Sequence, residues 1–249
     1  MNPETVRNYF DNPRVVADYA AAAEGVGLWN SEKKVFEEFI PRGAKIIEFG
    51  CGAGRIALGL WELGYRDIAA TDFAPNMAEA AKEIFARRGA KIRAFALDAS
   101  DPKLPEESFG AAVFGFNGLM QIPKSERRRR AIRAIFGILK PGGVFVFTTH
   151  DRGAKRNAAY WLSEKKQWET GSQQPVLDEF GDIFYEGDHG GIYIHSPSRG
   201  EIENALGEAG FEILLSRNRS EISPEPPAVE DFSDDCVFWC ARKPEFTKK

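Results

Sequence analysis

The sequence predicts an α/β fold: a doubly wound, mostly parallel sheet of seven strands ending in an antiparallel C-terminal hairpin. Three observations carry this prediction. Short apolar runs alternate with helical stretches between residues 43 and 150, the rhythm of parallel strands joined by right-handed crossovers. Glycine or Pro-Gly breaks separate several of these elements. The first apolar run, Ile46-Ile47-Glu48-Phe49, opens into Gly50-Cys51-Gly52-Ala53-Gly54, and a helical pattern starts at Arg55.

Residues 1–42 read as an N-terminal helical cap, with an alanine-rich helix at 15–23 and another at 31–40 after an N-cap at Asn30 or Ser31. The main unit spans 43–249. Strands are expected at 45–49, 67–71, 92–97, 110–116 and 144–149, with helices at 55–63, 75–88 and 124–139. Gly89 stops the second of these helices, and Pro141-Gly142-Gly143 stops the third. The rhythm breaks after His150, the end of the fifth strand. Residues 151–190 are polar, aromatic and weakly periodic, and read as a substrate lid inserted there with small elements of its own. A strand-like stretch at 192–195 leads to a capping box, Ser198-Arg199-Gly200-Glu201, and a helix ended by Gly210. Strands at 211–215 and 236–241, separated by an acidic, proline-containing loop at 218–234, complete the sheet.

The composition excludes several classes. With 249 residues, 43% hydrophobic and 28% charged, the chain has the makeup of a globular protein with a sizeable core. A net charge of −4 argues against a general nucleic-acid binder. The first residues lack the apolar stretch of a secretory signal, and no apolar run approaches the ~18 residues of a membrane span. Cys236 and Cys240 lie along one strand, about 13 Å apart at the ordinary strand rise, too far to bridge. A reduced, cytoplasmic protein that does not engage membranes is the expectation.

A strand that breaks into a glycine turn and then a helix lets a nucleotide-like ligand approach the backbone. Here the spacing departs from the dinucleotide fingerprint. Arg55 stands where glycine or alanine is needed for close helix packing, and the third glycine comes one residue early. A nicotinamide dehydrogenase is disfavoured on that ground. Asp72 follows Gly54 by 18 residues at the end of the second strand, where a carboxylate accepts from both ribose hydroxyls; it could also cap the next helix. Phe73 and Met77 are placed to sandwich an adenine ring or to pack helix against sheet.

Glu48-Phe49-Gly50-Cys51-Gly52-Ala53-Gly54 resembles the first motif of the class I S-adenosylmethionine (SAM)-dependent methyltransferases, and Lys140-Pro141-Gly142-Gly143 is similar to that family's turn before the fifth strand. The resemblance covers residues 43–150 and, more loosely, the C-terminal hairpin. It implies a Rossmann-like fold, with SAM as cofactor and S-adenosylhomocysteine (SAH) as product. It implies that Gly50, Cys51, Gly52 and Gly54 pass beneath the methionine part of the cofactor, with Glu48 near its amino group. Asp98 would accept from the adenine amino group and the Ala99 N–H would reach a ring nitrogen. The segment with Asn117 would run past the methyl group. Arg55 is left between pairing with a carboxylate of the cofactor and a solvated first-turn position.

The implied activity is transfer of the SAM methyl group, by in-line displacement, to N, O or S of a small, apolar or planar molecule. Catalysis then consists mainly of alignment and exclusion of water, with a base needed only for a protonated acceptor. His150 is the best-placed base, and His195 is a second candidate that could equally cap the following helix. Tyr19 and Trp29 in the cap, and Tyr160 and Trp161 in the lid, are candidate substrate contacts or packing groups. No two histidines have metal-ligand spacing, so no metal is expected. Arg127 to Arg130 read as a solvated helix face rather than an RNA contact. Two other readings stay open: a SAM-binding module without catalysis, and a nucleic-acid methyltransferase. The second lacks the Asp/Asn-Pro-Pro-Tyr/Phe motif after the fourth strand.

Overall fold

The computed structural model describes residues 1–245, so the last four residues of the expected 43–249 unit lie outside the described residues. Five strands run parallel: β1 (Ile46–Phe49), β2 (Ile68–Asp72), β3 (Arg93–Ala96), β4 (Phe109–Phe114) and β5 (Leu139–Thr149). The last strand, β9 (Val237–Arg242), lies antiparallel between β5 and β8 (Glu212–Asn218), giving the order β3-β2-β1-β4-β5-β9-β8. Strand order reverses between β1 and β4, and the carboxyl ends of the strands open a crevice at that point.

Period-two alternation splits the core into two layers. Ile46, Val144, Val146, Phe238 and Cys240 face α3 (Asn30–Phe39), α4 (Arg55–Glu62) and α5 (Pro75–Arg87). Ile47, Phe49, Phe145, Phe147 and Trp239 face α6 (Ser125–Ile138) and α8 (Arg199–Ala209). Each of these large side chains contributes about 1.5–3 kcal/mol by leaving water. The sheet is thus covered on both faces, as parallel strands require.

The cap begins one helix earlier than the sequence suggests. In α1 (Pro3–Phe10), Pro3 opens the helix and the Asn2 side chain accepts from the Glu4 N–H at 3.0 Å. The same device, Asn12 before Pro13, starts α2 (Pro13–Gly25). Glu32 seats α3 on α4: its oxygens accept from Arg55 Nη2 at 2.6 Å and Nη1 at 2.7 Å, and from the Trp29 N–H at 2.8 Å. Arg55 Nη1 also donates to the Gly27 carbonyl at 2.8 Å, and the guanidinium lies 4.9 Å over the Trp29 ring. Arg55 is therefore buried and committed to the cap, neither a solvated first-turn residue nor free for a cofactor carboxylate.

The insertion after β5 has more structure than its weak periodicity suggests. It forms α7 (Ala158–Thr170) and a separate hairpin of β6 (Asp182–Gly187) and β7 (Gly190–His195). That hairpin packs on α1 through Tyr193 and Phe184 against Val6 and Phe10. Two further departures are local. Lys140-Pro141-Gly142-Gly143 lies inside β5 rather than before it, because Gly142, at φ +78, lets the strand bulge where the pairing with β4 shifts register. The stretch read as a loop at 218–234 carries two short helices, α9 (Arg219–Ile222) and α10 (Pro227–Phe232). Among the described residues no helix is long and apolar enough to cross a membrane.

Replacing Glu32 by Ala leaves a buried guanidinium without its partner. The expected loss is about 3–5 kcal/mol in urea unfolding, with a smaller loss when Arg55→Met accompanies Glu32→Leu.

Candidate functional site

A cleft enclosing about 1080 Å³ of empty space, open mouth included, lies at the carboxyl edge of the sheet where the strand order reverses. Its floor is the turn from β1 to α4. Gly50, Gly52 and Gly54 have φ of +58, +54 and +92, a region open to glycine at little cost. Space forbids a side chain as well: a Cβ on Gly50 would meet Phe114 at 2.5 Å, on Gly52 Tyr19 at 2.8 Å, and on Gly54 Phe85 at 2.5 Å. Asp72 holds the turn to the end of β2, its two oxygens accepting from the N–H groups of Gly52 at 2.8 Å and Ala74 at 2.9 Å.

The electrostatics are set by burial. Glu48 is buried with Oε2 unpartnered, and desolvation lifts its carboxyl well above the usual range against the opposing pull of Arg55. Desolvation also pushes Asp72 up to about 6, although the N–H groups of Ala74, Gly52 and Phe73 favour its charged form. The Cys51 thiol is raised by burial and donates to the Gly52 carbonyl, so it stays a thiol. Asp98 also lines the cleft. Its Oδ1 accepts from Ser100 N and Oγ, and its Oδ2 accepts from Arg127 Nη2 at 2.8 Å.

The cleft brings together most of the residues singled out from the sequence. Glu48, Gly50, Cys51, Gly52, Asp72, Phe73, Met77, Asp98, Ala99 and Tyr19 all line it. Gly54 packs on Phe85 at the start of α4. Asn117 and Trp29 are buried outside the lining, on either side of Phe116: Asn117 is its chain neighbour, and Trp29 meets its ring edge-on at 5.9 Å. His150 also lies outside the lining, with Nε2 3.3 Å from Asn117 Nδ2, and burial lowers its pKa so that the ring is neutral.

Three readings need correction. His195 is fully buried, with Nδ1 2.9 Å from Asp182 and Nε2 2.8 Å from Glu201, which leaves no ring nitrogen for a reacting group. Tyr160 and Trp161 pack on each other in α7, and Trp161 rests on Phe180, so neither lines the cleft. The arginine run is not a uniformly solvated face. Arg128 is buried and binds Glu179 at 2.8 Å and the Ile122 carbonyl at 3.1 Å, while Arg127 reaches the cleft. The donor atoms of Glu179, Asp182 and His195 lie within 4.8 Å of one another, close enough to hold a cation. Arg128 on Glu179 and Arg152, 3.4 Å from Glu201, already supply positive charge to this group.

Sequence reading missed Phe10, Phe116, Gln121, Arg127 and Phe232, which also line the cleft. Phe116 adjoins the flagged Asn117, but Phe232 falls in a stretch without periodicity, and nothing local marks it. The glycine argument is testable. Gly52→Ala is expected to cost at least ~1–2 kcal/mol in thermal or urea unfolding, from the left-handed backbone alone. Gly200→Ala, in α8 with no atom within 4 Å of its added Cβ, is expected to stabilise by about 0.4–1 kcal/mol.

The comparisons with known proteins agree with this geometry. A family model described as a methyltransferase domain matches residues 46–143, the stretch from β1 into β5. The chain is 25% identical over 186 residues to the SAM-dependent Diels-Alderase iccD of Talaromyces variabilis; the match covers 73% of this chain and 58% of the length of that protein. Among solved structures, a SAM-dependent methyltransferase from Methanosarcina mazei superposes with a TM-score of 0.70 at 19% identity, covering 88% of this chain and 99% of the other. The [4+2]-cyclase SpnF does so with a TM-score of 0.62 at 21% identity, covering 86% and 80%. The glycine turn under the cleft, the sheet order around it and these likenesses converge on the fold: the chain has the Rossmann-like fold of the class I SAM-dependent methyltransferase-like proteins, and residues 46–143 are similar to a methyltransferase domain.

Proposed function

We propose that this protein binds SAM in the cleft and transfers its methyl group to N, O or S of a small molecule, leaving SAH. The observation that carries the reading is the glycine turn clamped by Asp72 at the floor of the cleft. The residues fit the cofactor on their own terms. Glu48 offers an unpartnered buried oxygen, and the glycine turn forms a floor of backbone without side chains beneath the cleft. Glu48 would take the amino group, Asp72 the ribose hydroxyls, Asp98 and Ala99 the adenine edge, and Phe73 and Met77 its faces. When bound, SAM supplies a methyl group already activated by a positively charged sulfur.

The remaining work is positional. Tyr19 covers the turn, and burial raises its pKa so that the hydroxyl stays protonated and able to donate. Phe10, Ile122, Pro123 and Phe232 add apolar surface to the cleft lining, which disfavours water there. No histidine lines the cleft, so an acceptor that is nucleophilic without a protein base suits it best.

A second reading has specific support. The likeness to a SAM-dependent Diels-Alderase spans 73% of this chain, and the aromatic part of the cleft also suits a ring closure in which no proton moves. Mass spectrometry of reaction mixtures separates the two. A methyltransferase converts SAM to SAH and adds one methylene mass to the acceptor, whereas a cyclase leaves SAM intact and its product isomeric with the substrate.

The raised Asp72 carboxyl gives the cofactor site a pH signature. Hydroxyl donors favour the charged carboxylate, so binding lowers its pKa and releases protons near pH 6. Through Asp72, affinity for SAH is expected to fall as pH drops through 6, by up to ~tenfold per unit. Calorimetry in buffers of different ionisation heat measures both effects, and Asp72→Asn is expected to remove this component, leaving what the raised Glu48 carboxyl contributes.

A further inference from the structure

Beyond the glycine turn the cleft is walled by rings. Phe116 and Phe232 lie nearly parallel, with centroids 5.1 Å and planes 22° apart. Phe116 and Asn117 have φ of +49 and +59, two consecutive left-handed residues of which neither is glycine. For a bulky residue that conformation costs about 1–2 kcal/mol, which glycine would not incur. It is held because the Asn117 N–H donates to Thr148 Oγ1 at 2.9 Å and the Gly118 N–H to the Gly115 carbonyl at 3.0 Å. The bend turns the chain off the end of β4 with the Phe116 ring on the cleft wall. Strain retained around one aromatic ring at a ligand cleft points to a role for that ring.

Phe232 reaches the same place from α10, and at 36% exposure it is one of the most open large apolar side chains among the described residues. Its helix is fixed from behind by Val229, buried in the core. Gln121 also lines the cleft, and its side-chain amide makes no hydrogen bond among the described residues. The cations of the cleft are engaged elsewhere: Arg7 lies 5.6 Å over Phe73, Arg127 binds Asp98, and Arg55 binds Glu32.

We propose that the stacked Phe116–Phe232 pair forms an aromatic wall whose open face, on Phe232, selects a flat, conjugated molecule bearing a hydroxyl or carbonyl oxygen, which Gln121 reads. This rests on the cofactor reading above and names the substrate class of the same cleft. A flat ring covers the exposed face of Phe232 by offset stacking, whereas a puckered ring of equal size meets it at fewer points. The Gln121 amide offers both a donor and an acceptor, so it serves a hydroxyl or a carbonyl.

The test uses two alcohols with the same carbon skeleton, 1-naphthol and decahydro-1-naphthol, titrated calorimetrically into protein saturated with SAH. The expected result is at least tenfold tighter binding of the flat alcohol. Phe232→Leu, which keeps apolar bulk but removes the flat face, is expected to erase most of that preference while SAH affinity stays within twofold. Gln121→Leu is expected to weaken 1-naphthol several-fold and leave naphthalene unchanged. Equal affinity for the two alcohols, no binding of 1-naphthol to SAH-loaded protein, or a Phe232→Leu variant that weakens SAH as much as naphthol would each overturn the role of this wall. Failure of SAH itself to bind is a separate outcome, which overturns the cofactor reading and the substrate reading with it.

Discussion

One guanidinium holds the cap to the sheet. Arg55 is the first residue of the helix after the glycine turn, and it is buried at 8% exposure, where a lone charge is untenable. Glu32 neutralises it through two hydrogen bonds, and the Gly27 carbonyl and the Trp29 ring complete its surroundings. These contacts fix where α2 ends and α3 begins, and so where Tyr19 and Trp29 stand relative to Phe116. The same charge lies close enough to Glu48 to oppose the effect of its burial. A single cation therefore serves two buried acids, one structural and one on the cleft wall.

Much of the sheet was legible because its signals are local. Strand ends, glycine stops and the capping box at Ser198 all come from neighbours in sequence, and the structure has them within a few residues. The cleft-lining residues named from the sequence were legible for a related reason, since most lie at or just beyond the end of a strand, and strand ends share one edge. Arg55 was not, because its partner lies 23 residues upstream on a different helix. The helix at the N-terminus carried a readable signature, Asn2 before Pro3, that was passed over.

The aromatic residues show the limit most clearly. Composition marked the insertion after β5 as aromatic and therefore as a site for substrate, but Trp161 and Phe180 spend their rings on packing the insertion itself. The rings at the cleft come instead from the ends of β4 and α10, which meet only through folding. His195 illustrates the same point for charge. As a residue after a strand it resembles a base, but Asp182 and Glu201 approach it from two other elements and close both nitrogens. Arg128 then ties this buried network to the Ile122 carbonyl, so the insertion supports this part of the cleft lining from behind.

The placement of β9 has a consequence for biosynthesis. The strand made last fills an interior position, pairing with β5 on one side and β8 on the other. Until residues 237–242 leave the ribosome, β5 exposes an unpaired edge along a segment containing Phe145 and Phe147, and β8 has no partner in the sheet. The five parallel strands can assemble in order of synthesis, but the nascent chain carries an open, strongly apolar edge for most of its length, a surface prone to pairing with another chain. The sheet is thus complete only once residues 237–242 have been made, and a chain truncated before β9 keeps the glycine turn yet lacks the strand that joins β5 to β8.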